Sequence, residues 1–164
     1  MRYRPERPFP PYAFLPGRDP HPTRDPEGHS FGEEEGPADY HEPGNWREND
    51  DYLYGVDLYN HGFLWEAHEA WEGLWHVAKP DARQASFLQG LIQCAAACLK
   101  IPMGQPRGLA RLSELGTLKL ENVAQETGGH FMGLDVFDFV ASLRAFAQSE
   151  PDSIDPRPRI ELDT

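Results

Sequence analysis

Hydrophobic positions recur every three or four residues from residue 49 onward, as they do along one face of an amphipathic α-helix. This spacing predicts five helices, over residues 49–62, 63–78, 80–101, 106–126 and 135–146. Asn49 and Asp135 are predicted N-caps, because their side chains can accept a backbone N–H at a helix start. Gly62 and Gly128 are suited to end the helices before them. Short joints and no convincing pair of strands favour an all-α fold, a compact bundle of about five helices.

Residues before position 49 show no helical period, and ten of the 16 prolines lie in residues 1–50. We interpret residues 1–48 as an irregular, proline-rich N-terminal arm, residues 49–150 as the bundle and residues 151–164 as an extended tail. The first half of the arm is predicted to lie on the bundle as a polyproline-like strap, anchored by Phe9, Tyr12, Phe14 and Leu15. The acidic segment 32–44 is predicted to be disordered, and a disordered arm throughout is the alternative.

Charge and cysteine usage exclude several classes of protein. The formal net charge is −12, which argues against binding to nucleic acid or to anionic membranes. Cys94 and Cys98 lie four residues apart in an apolar run, so they are expected to pack without a disulfide, as in a reducing cytosol. The start of the chain has no apolar stretch, and no run of about 18 apolar residues occurs anywhere, so neither a secretory signal nor a membrane span is expected. These features together predict a cytoplasmic protein.

The second predicted helix has an unusual polar side. Its sequence WEAHEAWEGLWH covers residues 65–76. An ordinary apolar stripe is formed by Leu64, Ala67, Trp71, Leu74 and Ala78. The other faces hold the candidates for chemistry: Trp65, His68, Glu69, Glu72 and Trp75.

The third predicted helix, ASFLQGLIQCAAACL over residues 85–99, is apolar on almost every side, which is typical of a buried helix. Its polar exceptions Gln89 and Gln93 need hydrogen-bond partners, since an unpaired buried amide costs about 1–3 kcal/mol. The glycines Gly73 and Gly90 indicate a close approach of the second and third helices. We therefore predict a partly buried cluster between these helices, formed by His68, Glu69, Glu72, Gln89 and Gln93 and walled by Trp65 and Trp75.

The pair FLWEAHEAWEGLW and FLQGLIQCAAACLK resembles the domain of unknown function 309 family, over about residues 52–125. The proline-rich arm is similar to an extension in some bacterial members. The resemblance implies a compact bundle of about five helices and no established reaction. It implies signature positions at Glu66, His68, Glu69, Glu72, Trp75, Gln89 and Gln93. Lys100 departs from the family pattern, in which many members have a histidine near the end of the third helix.

Three functions remain open for the cluster. The first is a non-catalytic bundle that binds a small molecule or a protein partner there. The alternative is a hydrolase-like enzyme, metal-assisted or metal-free, in which Glu69 or Glu72 acts with His68. The third is a purely structural hydrogen-bond network. No cofactor is expected: His68 and Glu72 share a helix face and are candidate ligands for a divalent metal, but a zinc site takes at least three ligands from protein. No serine, histidine and acid stand in a recognisable catalytic order.

Overall fold

Five α-helices build the molecule in a computed structural model, which describes residues 1–34 and 36–164. They are α1 (Asp50–Asn60), α2 (Leu64–Ala78), α3 (Ala82–Leu99), α4 (Pro106–Thr127) and α5 (Val136–Gln148), and a short 3₁₀ helix (Pro43–Glu48) precedes α1. Each helix packs on the next one in the chain. The predicted all-α bundle of five helices is therefore confirmed. None of the described helices combines the length and the apolar character needed to cross a membrane.

Side-chain caps fix where the helices begin. The Asn49 side chain accepts the Tyr52 N–H at 3.1 Å, and the Asp135 side chain accepts the Asp138 N–H at 3.0 Å, as predicted. The third helix starts two residues later than expected, because Asp81 provides its cap. These caps satisfy backbone N–H groups that have no partner within the helix.

The core is centred on aromatic residues of α1, α2 and α3. Tyr52, Tyr59, Trp71 and Phe87 are almost fully buried there. The indole N–H of Trp71 donates to the Tyr52 carbonyl at 3.3 Å, so its single polar atom is satisfied.

Both cysteines lie in the core as free thiols, as predicted. Burial raises the pKa of Cys98 to about 11, and it raises the pKa of Cys94 well above its usual range. Neither side chain is therefore a ready nucleophile at neutral pH.

The backbones of α3 and α4 approach each other closely at a pair of glycines. A Cβ on Gly90 would lie 3.1 Å from the Gly116 carbonyl oxygen, and a Cβ on Gly116 would lie 2.9 Å from that of Gly90. A Cβ on Gly73 would meet nothing within 4 Å. The prediction that Gly73 and Gly90 mark a close approach of α2 and α3 is therefore wrong. The partner of Gly90 is a glycine on α4.

A small hairpin that the sequence does not predict separates α4 from α5 within the all-α bundle. His130–Phe131 (β1) pairs antiparallel with Leu134–Asp135 (β2). The tight turn between them has Met132 at φ 47° and Gly133 at φ 79°. The Tyr52 hydroxyl donates to the Met132 carbonyl at 3.0 Å. Two-residue strands held by tertiary contacts are too short to show an alternating pattern in sequence.

Both ends of the chain lie on α1. Asn60 pairs with the backbone of Ile160, donating from Nδ2 and accepting at Oδ1, each at 2.8 Å. The N–H of Leu162 donates to the Tyr3 hydroxyl at 2.8 Å, which joins the tail to the start of the arm. The prediction of disorder over residues 32–44 includes Glu35, which lies outside the described residues, and it stays a prediction.

Candidate functional site

A buried carboxylate on α1 binds the first residues of the arm. Asp57 has no solvent exposure, and its two oxygens accept the N–H groups of Tyr3 and Arg4, each at 2.7 Å. The guanidinium of Arg2 lies 3.6 Å away and supplies an opposite charge. Backbone donors and a guanidinium compensate the cost of burying this charge. Asp57 therefore ties the N-terminus of the arm to the bundle.

A second buried carboxylate, on α2, binds the middle of the arm. Glu66 Oε2 lies 2.7 Å from His29 Nε2 and accepts the Phe14 N–H at 3.1 Å. The side chains of His29 and Glu66 are only 3% and 5% exposed. The resemblance implies Glu66 as a signature residue, and here its carboxylate binds residues of the arm.

His29 is held from three directions. Its Nδ1 lies 2.7 Å from Ser30 Oγ, while its Nε2 faces Glu66. Its backbone N–H donates to the Tyr12 hydroxyl at 3.0 Å, and that hydroxyl donates to the Pro20 carbonyl at 2.7 Å. The imidazole is consequently fixed in position and in ring orientation.

Aromatic contacts cover this polar centre. Phe14 is buried and meets the Trp65 ring edge-on, with centroids 5.2 Å apart, and His21 packs against both rings. Nearer the start of the arm, Phe9 stacks on Phe63 with centroids 4.8 Å apart. The arm therefore contacts the bundle through side chains as well as through backbone hydrogen bonds.

A cavity of about 610 Å³ lies between the arm and helices α1 and α2. Its polar lining includes Arg7, Thr23, His29, Ser30, Glu33, Asp51, Glu66 and Glu69. Its apolar lining includes Pro8, Phe9, Pro10, Pro11, Tyr54, Leu58 and Trp65. This volume is within the range of small-molecule sites. Three residues of the predicted site, Trp65, Glu66 and Glu69, are part of this wall.

A larger cavity, of about 800 Å³, lies near the turn between α3 and α4 and is lined also by α5. None of the predicted site residues lines it. Its lining holds two cations, Lys100 and Arg144, and Arg144 already pairs with Glu121. We place the candidate site in the smaller cavity, because titratable side chains converge there with aromatic walls.

Three of the predicted residues form a compact group on the outer side of α2. His68 Nδ1 lies 3.4 Å from Glu69 Oε1, and His68 Nε2 lies 3.5 Å from Glu72 Oε2. One ligand atom from each of the three side chains lies within 4.8 Å of the others, a separation that suits a metal ion. The Glu69 and Glu72 side chains are 45% and 41% exposed, so the prediction that this group is largely dry is wrong.

The two glutamines of α3 do not join this group. Within the described residues, neither Gln89 nor Gln93 makes a hydrogen bond to an acid of α2, and Gln93 Oε1 is buried without a partner. The predicted bonds from these amides to Glu69 and Glu72 are therefore wrong. Trp75 lies apart from the cavity, with the Lys79 ammonium 4.5 Å from its ring centroid. A functional role for these residues stays a prediction.

His68 makes the stability of α2 depend on pH. The interaction with Glu69, followed by the charges of Glu69 and Glu72, raises the pKa of His68 above its usual value near 6.5. Protonated His68 therefore stabilises the folded state below about pH 6.5, and this contribution is lost as the pH rises through the folded-state pKa. We expect His68→Gln to lower the free energy of unfolding by about 0.5 kcal/mol at pH 5.5 and by almost nothing at pH 9. Urea unfolding at both pH values tests this, and an equal loss at both would contradict it.

Sequence reasoning missed Ser30 and Asp57 as site residues, and it did not pair His29 with Glu66. Asp57 did leave a signal, since it is a lone acid among the apolar residues Val56, Leu58 and Tyr59. The sequence contains no such signal for His29 and Ser30, because the irregular arm has no helical period from which the partner of a side chain can be inferred. The site depends on the contact between His29 and Glu66, which lie 37 residues apart in the chain.

Comparison with known proteins gives one match. Residues 52–112 match the model of a family described as "Domain of unknown function (DUF309)". No curated protein and no solved structure matches the chain at significant similarity. The matched segment runs from α1 into α4, so it contains Asp57, Glu66 and the His68 group, and it excludes the arm.

Proposed function

We propose that this protein, whose residues 52–112 belong to the DUF309 family, binds a small organic amine in the cavity between its N-terminal arm and helices α1 and α2. The family description supplies no activity, so the proposal rests on the site. The observation that carries it is a cavity of about 610 Å³ in which an arm bound by two buried carboxylates forms one wall, opposite helices α1 and α2. A cavity completed by a distant segment of the chain is a preformed site for a small molecule.

The lining favours a cationic ligand with an apolar body. Four carboxylates, from Glu33, Asp51, Glu66 and Glu69, contribute to the wall, against the single guanidinium of Arg7. Asp51 neutralises that guanidinium at 2.9 Å. The ring of Trp65 offers aromatic surface, which attracts ammonium groups, whereas the Tyr54 ring already holds the Arg7 guanidinium 3.9 Å from its centroid. An amine with a hydrocarbon or aromatic body matches both features.

This proposal places ligand binding elsewhere than the sequence suggested. The hypothesis that the bundle binds a small molecule is kept, together with Trp65, Glu66 and Glu69. The site lies between α2 and the arm, whereas the sequence predicted it between α2 and α3. Glu69 is the residue that connects the two locations, because it lines the cavity and also contacts His68.

A thermal-shift titration with 2-phenylethylamine tests the proposal. At tenfold excess over Kd, binding is expected to stabilise the protein by about 1.4 kcal/mol, which corresponds to about 3–5 °C in Tm. The uncharged analogue 2-phenylethanol should give a much smaller shift, because it lacks the ammonium group. Glu69→Gln should weaken the response to the amine. Glu72→Gln, one turn along α2 and outside the cavity lining, is the matched control and should keep it.

Two results would contradict the proposal. One is the absence of any shift in Tm at about 10 mM 2-phenylethylamine. This concentration lies well above a Kd of about 1 mM, which is weak for a specific site. The other is an equal shift with the alcohol and with both glutamate variants, since the response would then not depend on the carboxylates of the cavity.

A divalent cation at His68, Glu69 and Glu72 is a second candidate, supported by the 4.8 Å grouping of their ligand atoms. One imidazole and two carboxylates suit zinc, and three protein ligands leave a position for water or substrate. The same variants separate the two candidates. In a thermal-shift titration, the stabilising response to zinc chloride should be lost in both Glu69→Gln and Glu72→Gln, whereas the response to 2-phenylethylamine should weaken only in Glu69→Gln.

A further inference from the structure

A hydroxyl, an imidazole and a carboxylate form a hydrogen-bonded row on the wall of the cavity between the arm and helices α1 and α2. Ser30 Oγ is 2.7 Å from His29 Nδ1, and His29 Nε2 is 2.7 Å from Glu66 Oε2. All three residues line the cavity of about 610 Å³. A nucleophile within hydrogen-bond distance of a base, which a third group orients in turn, is the geometry of nucleophilic catalysis.

The carboxylate determines which ring nitrogen carries the proton. Glu66 Oε2 accepts the Phe14 N–H and offers only lone pairs to His29. In the neutral imidazole the proton is therefore on Nε2, and the Nδ1 lone pair faces the Ser30 hydroxyl. This tautomer can take the hydroxyl proton from Ser30. The side chains of His29 and Glu66 are almost fully buried, so bulk water does not compete for their hydrogen bonds.

We propose that Ser30 is the nucleophile of an acyl-transfer reaction in this cavity, with His29 as general base and Glu66 as a positioning residue. The inference rests on the proposed function, because the substrate must enter the same cavity. The carboxylates of the lining select an ester that carries a cationic amine. Nothing in the order of the sequence marks this set, since Ser30 and His29 are neighbours in the arm and Glu66 is on α2.

The reaction needs only the ester and water. The Ser30 Oγ–H proton moves to His29 Nδ1 while Oγ bonds to the carbonyl carbon. The bond from that carbon to the leaving oxygen then breaks, and the proton on Nδ1 passes to the departing alcohol. Water next attacks the acyl-serine, giving its proton to Nδ1, and that proton returns to Ser30 Oγ as the carboxylic acid leaves.

Labelling with an alkyl fluorophosphonate tests the nucleophile directly. Oγ of Ser30 should bond to phosphorus as fluoride leaves, and intact-mass measurement should show one adduct, mapped to Ser30 by peptide analysis. Ser30→Ala should remove the adduct, and Ser86→Ala, a serine on α3 outside the cavity lining, should label at the rate of the wild type. Hydrolysis of p-nitrophenyl acetate should fall at least about 100-fold in Ser30→Ala, the contribution expected of positioned acid–base catalysis.

Glu66→Gln tests the positioning role. A glutamine amide that donates to His29 Nε2 favours the tautomer with the proton on Nδ1, which cannot accept the serine proton. We expect the labelling rate to fall at least about 100-fold in Glu66→Gln, while the Phe14 amide, whose N–H a glutamine oxygen can still accept, keeps its protection from hydrogen exchange. A purely structural role would lower both together.

The outcomes separate this inference from the proposed function. A thermal shift with 2-phenylethylamine and no adduct at Ser30 would overturn the catalytic inference and leave amine binding intact. An adduct that persists in Ser30→Ala would also overturn it, since another residue would then be the nucleophile. An adduct at Ser30 without any response to the amine would support the nucleophile and refute the amine as the ligand class.

Discussion

Replacing Asp57 by alanine is expected to lower the free energy of unfolding by about 3–5 kcal/mol. The change leaves the N–H groups of Tyr3 and Arg4 without their acceptor in a fully buried position, and it leaves Arg2 without its counter-ion. Unpaired buried donors each cost about 1–3 kcal/mol. The arm is expected to detach at its start, so trypsin should cleave the Arg2–Tyr3 bond faster than in the wild type. Urea unfolding and limited proteolysis measure the two effects.

Asp50→Ala is the matched control for this prediction. Asp50 contacts the same part of the arm, through Arg4 and Arg7 at 2.6 Å, but its side chain is 52% exposed. Exposed ion pairs contribute at most about 1 kcal/mol, so the control should be nearly as stable as the wild type. Equal losses in Asp57→Ala and Asp50→Ala would show that the buried carboxylate does not hold the arm.

Two glycine-to-alanine substitutions are expected to change stability in opposite directions. Gly116→Ala places a methyl group 2.9 Å from the Gly90 carbonyl oxygen and 2.8 Å from Cys94 Sγ, so α3 and α4 must separate. Overpacking of this kind costs about 1–3 kcal/mol. Gly73→Ala meets nothing within 4 Å and gains about 1 kcal/mol of helix propensity.

The comparison isolates packing, because both sites are inside α-helices and gain the same propensity from alanine. Chemical denaturation of the two variants beside the wild type measures the difference, which should equal the overpacking cost of about 1–3 kcal/mol. Gly116→Ala as stable as Gly73→Ala would contradict the close contact of α3 and α4.

Local signals predicted the helices well. Asn49 and Asp135 are read as caps from their residue type and from the apolar period that follows, and both act as caps in the structure. Such signals are contained within one turn of helix, so a single sequence reveals them. The start of α3 was placed two residues early because Pro80 suits a first turn as well as the Asp81 cap does.

Non-local pairing explains what was missed. Gly90 indicates a close backbone contact, but nothing local distinguishes α2 from α4 as its partner. Glu66 was grouped with His68 and Glu72 by motif, although its carboxylate lies against the arm and not beside them. Residues of one helical segment share a sequence motif while facing different neighbours, and only the packing decides which.

Buried carboxylates on α1 and α2 hold the N-terminal arm as one wall of the proposed ligand cavity. Residue-resolved amide hydrogen exchange of the full-length protein tests this most directly, through the Tyr3, Arg4 and Phe14 amides that donate to Asp57 and Glu66. We expect these three amides to exchange at least about 100-fold more slowly than in an unstructured peptide, as closed hydrogen bonds require. Exchange at the unstructured rate would mean that the arm is not bound and that the cavity lacks its wall.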